Sequence, residues 1–477
     1  MKPYLKIIVF ICLCAITISC KKRDLTEQYQ IPNKPPVANA GLDQTIILPA
    51  NTVTLDGSGS VDSSNKITKQ SWEKISGPSS FNITDSTALQ TQVTSLVKGT
   101  YQFELRVTDA NGLFSRDTMQ IVVMASFVSD CNISDRPLVN VKPTFIGTLS
   151  EARRYVTIAA AGNKILFAGG SDLTDGSFEF STVDIYDTLH HIWSTGKLSV
   201  PRYNMSVVTE GEKVFFSGGH TVSQNNWNLF STVDIYDGIT NTWGKIQLSE
   251  RRMDLAAVLS GNRILFGGGL TGPSDQAPTD VSNKVDIYDL SSQAWTTSKL
   301  SQSRAELSAV ALGSKVYFAG GNREHSTYTW SCNPTNLADV YDMDSKSWSI
   351  FNMRSALANR AAISLNGKIY WAGGENLACG SDTWSLSSEV EIFDTATQTC
   401  TYSCLFQPNS RLTAVAKDNL ILFFTGAGTI KDRFDIYNTT TGAWSIGVLP
   451  SLYAPTIYSY NNTVYVTDGT QVWKLEF

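Results

Sequence analysis

The amino-acid sequence predicts an all-β protein in which a small β-sandwich is followed by a seven-bladed β-propeller. Glycine pairs recur about every fifty residues from Gly169-Gly170 to Gly373-Gly374, and two weaker copies follow at 426–428 and 468–469. In five of the first six copies an aromatic residue precedes a tryptophan by seven positions. Four-stranded repeats of this length leave both faces apolar and become stable by packing against each other, which is typical of a propeller.

The composition narrows the class of protein. Of the 477 residues, 17% are charged, and short alternating apolar runs dominate, which indicates an exported all-β protein. The formal net charge is -5. An acidic chain of this kind argues against a nucleic-acid partner.

The first residues have the pattern of an export signal. Lys2 and Lys6 precede an apolar run at 7–18, which is too short to span a bilayer. The pattern resembles a bacterial lipoprotein signal peptide at 1–19, in which Cys20 becomes the first mature residue and carries the lipid. We therefore expect lipidation at Cys20.

The resemblance to a lipoprotein signal is incomplete. Thr17 stands where such signals usually have leucine, so cleavage of an ordinary signal peptide is the alternative. Residues 20–34 are polar and lack periodicity, which predicts a flexible tether. We expect an outer-membrane lipoprotein that faces the periplasm or the cell surface.

Residues 35–124 are predicted to form the β-sandwich. Alternating runs such as 52–55 and 101–107 are separated by turns that contain glycine. The segments PPVANAGLDQTI, TLDGSGSVDSSN, SWEKISGP and GTYQFELRVTDANG closely resemble the PKD family. The resemblance implies an immunoglobulin-like sandwich with Trp72 in its core, which in surface proteins serves as a spacer or an adhesive module. We expect a spacer.

A linker at 125–136 leads to the propeller at 137–477. Each repeat contains four predicted strands, which we name a to d from the channel outward, with the glycine pair after strand b and the tryptophan on strand d. Strands a, b and c occur a seventh time at 456–475, where the chain ends. The segment 145–150 aligns with the d strand around Trp193, so we expect it to complete blade seven. A six-bladed ring with a tail is the alternative.

The repeat unit also resembles a known family. Its glycine pair, its spaced Tyr and Trp and its upstream Arg are similar to the kelch motif over 145–477, and five of seven copies keep both glycines. The resemblance implies a kelch-type propeller. Kelch proteins range from adaptors to oxidases and sugar epimerases, so the family leaves the activity open.

The strand connections differ between the two faces of the predicted ring. Because strand direction alternates, the b-to-c and d-to-a connections emerge on one face, the loop face, and the tight a-to-b and c-to-d turns emerge on the other, the turn face. The b-to-c connections are long in blades one to five and short in blades six and seven. They carry aromatic residues that suit sugars or protein partners when exposed and belong to the core when buried. These are Phe178, Phe180, Trp227, Phe230, Tyr328, Trp330 and Trp384.

An arginine recurs near the start of strand a. The set is Arg154, Arg202, Arg252, Arg304 and Arg411, with Arg360 displaced by three positions in blade five. Because strand a lines the channel, we expect a ring of guanidinium groups at its mouth that binds an anionic partner, as similar arginines bind acidic peptides in kelch adaptors. The alternative is structural, with each arginine bridging blades through backbone carbonyls. We assign ligand binding to the six arginines and to Trp227, Tyr328, Trp330 and Trp384.

Five cysteines lie beyond the leader and the lipidation position, which fits an exported protein with disulfides. Cys332 and Cys379 occupy equivalent loops of neighbouring repeats, and Cys400 and Cys404 lie four positions apart. We expect each of these two pairs to form a disulfide. The odd count leaves Cys131 without an assigned partner. The cysteines lack the spacing of a metal site.

Few residues suggest catalysis. Glu324-His325 is the adjacent acid–base pair in the loops, and the Tyr-His pair needed for a copper site like that of the kelch oxidases does not occur. Four carboxylates of the loops match no defined calcium loop, namely Asp172, Asp175, Asp275 and Asp280. We expect a monomeric, membrane-anchored binding module without cofactor or metal, whose loop face recognises a glycan or a protein. The alternative is a sugar-acting enzyme of the mutarotase or epimerase type.

Overall fold

The computed structural model describes most of the chain after the tether. It covers residues 33–477 except 64–65, 129–130, 132, 173–177, 224–225, 274–276, 327–329, 380–383, 425 and 450–454. The regular secondary structure of these residues is entirely β. None of them belongs to a helix with the length and hydropathy needed to cross a membrane.

The N-terminal domain is a sandwich of two sheets. Its strands are β1 (Asp43–Ile47), β2 (Val53–Asp56), β3 (Ile67–Ser76), β4 (Asn82–Ile83), β5 (Gln90–Thr94), β6 (Gly99–Asp109) and β7 (Phe114–Met124). One sheet has the order β1-β7-β6-β3, and the other has the order β2-β5-β4. The alternation of buried and exposed residues along β6 places Tyr101, Phe103 and Leu105 between the sheets. Trp72 packs in this core, as the sequence predicts.

Three strands lie between the sandwich and blade one. The propeller consists of seven four-stranded blades, and the third of these strands belongs to the last blade. The connecting strands are β8 (Ser126–Val128), β9 (Leu138–Asn140) and β10 (Lys142–Thr148). Blade one has β11 (Thr157–Ala161), β12 (Lys164–Ala168), β13 (Thr182–Asp187) and β14 (Ile192–Lys197). Blade two has β15 (Ser206–Glu210), β16 (Lys213–Ser217), the loop strands β17 (His220–Ser223) and β18 (Asn226–Leu229), then β19 (Thr232–Asp237) and β20 (Thr242–Gln247).

Blades three to five also carry short strands in their b-to-c loops. Blade three has β21 (Ala256–Ser260), β22 (Arg263–Gly267), the loop strands β23 (Leu270–Thr271) and β24 (Asp280–Val281), then β25 (Lys284–Asp289) and β26 (Ala294–Lys299). Blade four has β27 (Ser308–Leu312), β28 (Lys315–Ala319), the loop strands β29 (Asn322–Ser326) and β30 (Trp330–Pro334), then β31 (Leu337–Asp342) and β32 (Ser347–Asn352). Blade five has β33 (Ala361–Leu365), β34 (Lys368–Ala372), the loop strand β35 (Glu375–Asn376), then β36 (Ser385–Asp394) and β37 (Thr399–Asn409).

The last two blades have short b-to-c connections. Blade six has β38 (Thr413–Lys417), β39 (Leu420–Phe424), β40 (Arg433–Asn438) and β41 (Trp444–Val448). Blade seven has β42 (Thr456–Tyr460), β43 (Thr463–Thr467) and β44 (Gln471–Glu476), and β10 is its outer strand. The loop face is therefore lowest on the side of blades six and seven.

The ring is closed by the start of the propeller segment. β10 pairs antiparallel with β44, so that Phe145 lies opposite Trp473. Strand a of blade one, β11, contacts β15 on one side and β42 of blade seven on the other. This arrangement confirms seven blades and the completion of blade seven by the segment at 145–150. Closure leaves no open end between the first and last blades.

The repeated residues stabilise the contacts within and between blades. Tyr186 and Trp193 are cross-strand partners on β13 and β14, with ring centroids 5.0 Å apart. Gly169 has a φ of +62° and Gly170 a φ of +114°, which side-chain-bearing residues rarely adopt. A Cβ on Gly169 would also lie 2.4 Å from the Arg202 carbonyl oxygen of the next blade. The glycine pair is therefore required by close backbone approach.

The segment before the propeller is bound along its outer edge. β1 pairs parallel with β32 of blade four, β8 with β37 of blade five and β9 with β41 of blade six. Ile47 and Met124 of the sandwich share a hydrophobic core with Phe351 and Tyr402 of the propeller. The sandwich and blade four therefore form one continuous sheet. Strands β1, β8 and β9 therefore cover the outer edges of three consecutive blades, and β10 is the outer strand of the next.

The disulfides correct one prediction. The structure joins Cys332 to Cys379 and, in addition, Cys131 to Cys404, which ties the linker to blade five. The expected Cys400–Cys404 disulfide is wrong, and Cys400 is a buried free thiol. Both residues lie on the extended strand β37, where four positions span about 13 Å, beyond the reach of a disulfide.

Candidate functional site

A cavity of about 340 Å³ opens on the loop face at the mouth of the central channel. Its wall is built from the residues that enter strand a in blades two to six. The lining residues are Asn204, Met205, Ser206, Asp254, Leu255, Glu306, Leu307, Asn359, Arg360, Arg411 and Leu412. Amide, carboxyl and guanidinium groups alternate around this wall, and we call the cavity the channel mouth.

Six residues around the channel share one unusual backbone conformation. Each stands two positions before strand a of its blade and has a positive φ. They are Tyr155 (+58°), Asn204 (+51°), Asp254 (+50°), Glu306 (+56°), Asn359 (+53°) and Arg411 (+53°). The left-handed conformation is uncommon for residues with a side chain, and it costs most where the side chain is bulky. Such strain clusters at functional sites.

Backbone hydrogen bonds between blades hold this ring of residues in place. The Glu306 N–H donates to the Asp254 carbonyl oxygen at 3.1 Å, the Asn359 N–H to that of Glu306 at 3.0 Å, and the Arg411 N–H to that of Asn359 at 3.0 Å. Each side chain therefore leaves the backbone at a position fixed by the neighbouring blades. The polar groups of the mouth are preorganised by the ring rather than by their own loops.

Arg411 lies between two carboxylates. Its Nη2 atom is 3.7 Å from Glu306 Oε1 and 3.5 Å from Glu375 Oε1. The Glu375 carboxylate also accepts hydrogen bonds from Asn359 Nδ2 at 2.8 Å and Ser410 Oγ at 2.6 Å. The Arg411 side chain is 53% exposed, so its guanidinium retains donors that face the cavity.

Asp254 is the titratable carboxyl of the mouth. Burial and, to a smaller extent, the negative charge of Glu306 raise its pKa to about 7, while the positive charge of Arg411 acts in the opposite direction. Among the residues that the structure describes, none donates a hydrogen bond to this carboxylate. Burial also raises the pKa of Glu306. The mouth therefore contains a carboxyl group, that of Asp254, whose pKa lies near neutral pH.

The arginines of the repeat lie in the protein interior, which corrects the expectation that they surround the channel mouth. Arg202, Arg252 and Arg304 are fully buried, and each pairs with an aspartate of strand c. Arg304 also donates to the Gly320 carbonyl oxygen at 3.0 Å and the Leu337 carbonyl oxygen at 2.7 Å. A guanidinium has five donors and loses its water on burial, so it is placed where carbonyls and a carboxylate replace that water. These arginines are structural, as the alternative held, but their carbonyl and carboxylate partners lie within their own blades, so the expected bridging of neighbouring blades by their side chains is wrong.

Two register errors accompany this correction. In blade one the buried arginine is Arg153, whose Nη2 is 2.7 Å from Asp184 Oδ2, and the predicted Arg154 follows it. Arg154 instead covers the ring of Tyr155, with its Cζ 5.3 Å from the ring centroid. In blade five Arg360 reaches the interior and contacts a carboxylate of Glu391 at 3.5 Å.

In blade six the buried guanidinium comes from outside the repeat. Arg136, in the linker, pairs with Asp435 at 2.7 Å, and both side chains are buried. Asp435 occupies the strand c position that carries Asp339 in blade four. The buried position near the start of strand a is therefore free of arginine in this blade, and Arg411, two residues later in register, faces the mouth.

The predicted aromatic residues have different environments. Trp384 is 48% exposed, and the Arg411 Cζ lies 5.7 Å from its ring centroid. Trp227 is half-buried and stacks on His220, with centroids 4.8 Å apart. Tyr328 lies outside the described residues, and so does the side chain of Trp330.

A stack of four rings runs outward from the mouth across blades one and two. Tyr155 and Tyr203 are stacked at 5.5 Å, Tyr203 and His220 are 4.3 Å apart, and Trp227 completes the stack. Burial lowers the pKa of His220 to about 4, so this imidazole is neutral at pH 7. Tyr155 is 54% exposed and forms the end of the stack that reaches solvent.

Sequence reasoning missed the polar residues of the mouth. Asn204, Asp254 and Glu306 stand two positions after the buried arginine of their blades, in the tripeptides RYN, RMD and RAE. The recurrence of a hydrogen-bonding side chain at that position was a usable signal. The regular spacing of the arginine itself drew the prediction to the neighbouring, buried position.

Comparison with known proteins identifies the N-terminal domain. Residues 40–123 match a family model that describes the KIAA0319-like type of PKD domain. This segment is a PKD domain. The chain is 42% identical over 91 residues to human Dyslexia-associated protein KIAA0319 and 37% identical over 91 residues to the mouse Dyslexia-associated protein KIAA0319-like protein. These matches cover 19% of this chain and only 8% and 9% of those relatives.

Two further similarities concern another curated protein and a solved structure. The PKD domain region is 32% identical over 100 residues to human Low-density lipoprotein receptor-related protein 11, which is 21% of this chain and 20% of that protein. Among solved structures, one titled "Structure of YjhT" aligns over 63% of this chain and 98% of its own length. Its sequence identity is 14%, and the TM-score is 0.47.

Proposed function

We propose that this protein is a carbohydrate-binding module whose site is the channel mouth. The observation that carries the proposal is the polar wall of this cavity, where Asn204, Asp254, Glu306, Asn359 and Arg411 project from one register position of five consecutive blades. Planar amide, carboxyl and guanidinium groups are the side chains that pair with adjacent sugar hydroxyls. A volume of about 340 Å³ fits one or two sugar rings.

Aromatic side chains beside the mouth support a sugar rather than an extended protein partner. Trp384 is exposed next to Arg411, and Tyr155 is exposed on the side of blade one. Rings of this kind cover the apolar face of a pyranose while the polar wall takes its hydroxyls. A protein partner would need a larger and more apolar contact surface than this concave, polar cavity offers.

The propeller repeat is proposed to belong to the kelch family, and Cys20 is proposed to anchor the chain to the outer membrane. Within that arrangement the PKD domain acts as a rigid spacer. Asn33, the first described residue, donates a hydrogen bond to Asp109 at 2.5 Å, at the end of the domain far from the propeller. The 11-residue strand β7 separates that end from the contact with blade four by about 35 Å.

Strand direction supports a mouth that points away from the anchor. β32 runs from the c-to-d turn on the turn face to the d-to-a connection on the loop face. β1 is parallel to β32, and β7 is parallel to β1, so β7 also runs toward the loop face. Its first residue, Phe114, and the first described residue, Asn33, therefore lie toward the turn face. In this orientation the lipid would be on the side opposite the sugar site.

Binding of the mature chain in detergent to a glycan array tests the proposal. We expect retention of a defined set of sugars by the wild type and its loss in Arg411→Gln. Arg263→Gln is the matched control, because Arg263 opens strand b of blade three on the turn face and is partly exposed. An array without any retained sugar, or equal loss in both variants, would reject the channel mouth as the site.

A sugar-acting enzyme is the second candidate, and one observation favours it. Asp254 has a pKa of about 7, which suits a group that gives and takes protons at neutral pH. NMR of each retained sugar with catalytic amounts of protein would reveal conversion or accelerated anomeric exchange. Retention without turnover assigns the site to binding alone, whereas turnover that disappears in Asp254→Asn assigns proton transfer to this residue.

A further inference from the structure

The positive charges near the channel mouth are largely neutralised by the protein itself. Arg411, the predicted arginine that lines the cavity with an exposed side chain, lies between Glu306 and Glu375. Arg360 lines the same cavity, but its guanidinium is buried and contacts two glutamates. An anionic sugar would have to displace these carboxylates to gain a guanidinium. The mouth is therefore poorly suited to the anionic partner that the arginine pattern predicted.

Asp254, by contrast, is an ionisable group of the mouth that is not paired with an opposite charge of any described residue. It lines the same cavity, and no described residue forms an ion pair or a side-chain hydrogen bond with it. The groups that face it electrostatically are Tyr203 from blade two, Glu306 from blade four and Arg411 from blade six. Arg411 is already shared by two other carboxylates. The carboxylate of Asp254 is partly exposed to the cavity and is thus an acceptor that is open to a donor from the ligand.

Comparison with the same register position in other blades indicates which kind of donor the Asp254 carboxylate favours. The same register position carries Asn204 in blade two and Asn359 in blade five, and an amide satisfies the backbone conformation at least as well as a carboxylate. An amide also offers both a donor and an acceptor to neutral hydroxyls. A carboxylate adds negative charge, which favours a cationic donor over a hydroxyl.

We propose that the sugar bound at the channel mouth carries a primary amine, whose ammonium form donates to the Asp254 carboxylate. This inference rests on the proposed carbohydrate-binding function. The ammonium group has three donors and no acceptor, which matches a carboxylate that lacks a donor. Glu306, in the next blade, lines the same cavity, but its carboxylate is already shared with Arg411. The hydroxyls of the same sugar would pair with Asn204, Asn359 and Arg411.

Calorimetric titration of the mature chain with matched hexoses tests this inference. The panel contains the 2-amino, 2-acetamido and 2-hydroxy forms of glucose and of galactose, together with the two corresponding uronic acids. We expect the amino form of one series to bind about tenfold more tightly than its acetamido and hydroxy forms, as one charge-assisted hydrogen bond provides. The uronic acids should bind least.

The outcomes separate this inference from the proposed function. Neutral or acidic sugars that bind as tightly as the amino sugar would overturn the amine assignment and leave carbohydrate binding in place. Failure of every sugar in the panel and on the array would overturn both.

Two variants test whether the preference for the amino sugar depends on Asp254. Asp254→Asn should bind the amino and acetamido forms with affinities within about twofold of each other, since the charge is lost and the amide remains. This variant copies the residues of blades two and five, so we expect it to fold. Glu212→Gln removes an exposed carboxylate of blade two on the turn face and should keep the tenfold preference. Cooperative thermal unfolding would show that Asp254→Asn is folded. If that folded variant still prefers the amino sugar, the inference is overturned.

Discussion

Arg304 and Arg411 belong to two layers of the same ring, and their environments are opposite. Arg304 stands four residues before its strand a, is completely buried and pairs with Asp339. Arg411 stands two residues before its strand a, and its side chain is 53% exposed between two carboxylates. The side chain four residues before strand a points into the blade, and the side chain two residues before strand a points into the channel. A shift of two positions therefore changes an arginine from a structural residue into a candidate ligand contact.

The comparison also explains why spacing from the glycines was misleading. In blades one to five strand b ends directly before the glycine pair, as at Ser217 before Gly218. In blade six β39 ends at Phe424, two residues before Gly426, so Arg411 stands 15 residues before its glycine where Arg304 stands 16 before Gly320, and an approximate count from the glycines hides their two-position difference in register. Distance from the strand defines the layer, because the strand is what fixes the direction of each side chain.

The largest expected effect tests the buried layer. Arg304→Met should lower the free energy of unfolding by about 3–5 kcal/mol, because it leaves Asp339 buried without its partner. Denaturant unfolding of the purified chain measures this. The double variant Arg304→Met with Asp339→Leu should recover much of the loss. A single variant that costs less than about 1 kcal/mol would mean that this layer is not structural.

The next effect tests the exposed layer. Arg411→Lys keeps the positive charge between Glu306 and Glu375 but loses the planar fork, so sugar affinity should fall about tenfold. The free energy of unfolding should change by less than about 1 kcal/mol, because the Arg411 side chain is half-exposed and lysine keeps a positive charge beside the buried Glu375. Isothermal titration and denaturant unfolding of the same sample separate the two quantities. Equal affinity in the lysine variant would remove Arg411 from the site.

A pH series sharpens the comparison at Asp254. Its pKa is about 7 in the folded protein against an ordinary 3.8, so between these values the folded chain binds more protons than the unfolded chain. Its contribution to stability therefore falls as the pH rises. Because asparagine does not titrate, Asp254→Asn should gain about 1–2 kcal/mol relative to wild type between pH 5 and pH 8, a value reduced for partial solvent exposure. A difference that is constant across this range would contradict the shifted pKa.

The smallest expected effect concerns the aromatic edge of the mouth. Trp384→Ala removes an exposed ring that covers the Arg411 guanidinium, so sugar affinity should fall by about 0.5–1 kcal/mol. Ile239→Ala is the control, because this exposed residue lies in a turn of blade two on the turn face. Titration of both variants with the same sugar decides the matter. Equal affinities in the two variants would show that Trp384 does not contact the ligand.

The sequence was sufficient to predict features that depend on contacts within one repeat or between neighbouring repeats. The glycine pairs and the Tyr and Trp spacing predicted the blades, because each feature is satisfied within one repeat or between neighbours. The missing strand d at the C-terminus and the surplus strand at 145–150 predicted the closure of the ring, which β10 and β44 confirm. Trp72 was placed in the PKD core from the resemblance of its segment.

Other features depended on contacts that are remote in sequence. The sequence separation between Cys131 and Cys404 is 273 residues, and the guanidinium of blade six comes from Arg136 in the linker. The parallel pairing of β1, β8 and β9 along the propeller edge involves strands too short to show a pattern of their own. The predicted linker and one edge of the PKD domain are therefore packed against the propeller.

The sequence by itself determined the number of blades, the strand order and the face that carries the long loops, because periodic residues encode local strand geometry. Only the tertiary structure decided which side chains reach the channel. The left-handed residues Asp254, Glu306, Asn359 and Arg411 are linked by backbone hydrogen bonds between blades, and those bonds exist only when neighbouring blades are packed together. Burial then assigned the arginines to the interior and left Asp254 and Arg411 at the mouth, since a buried charge requires a partner that only the folded chain supplies.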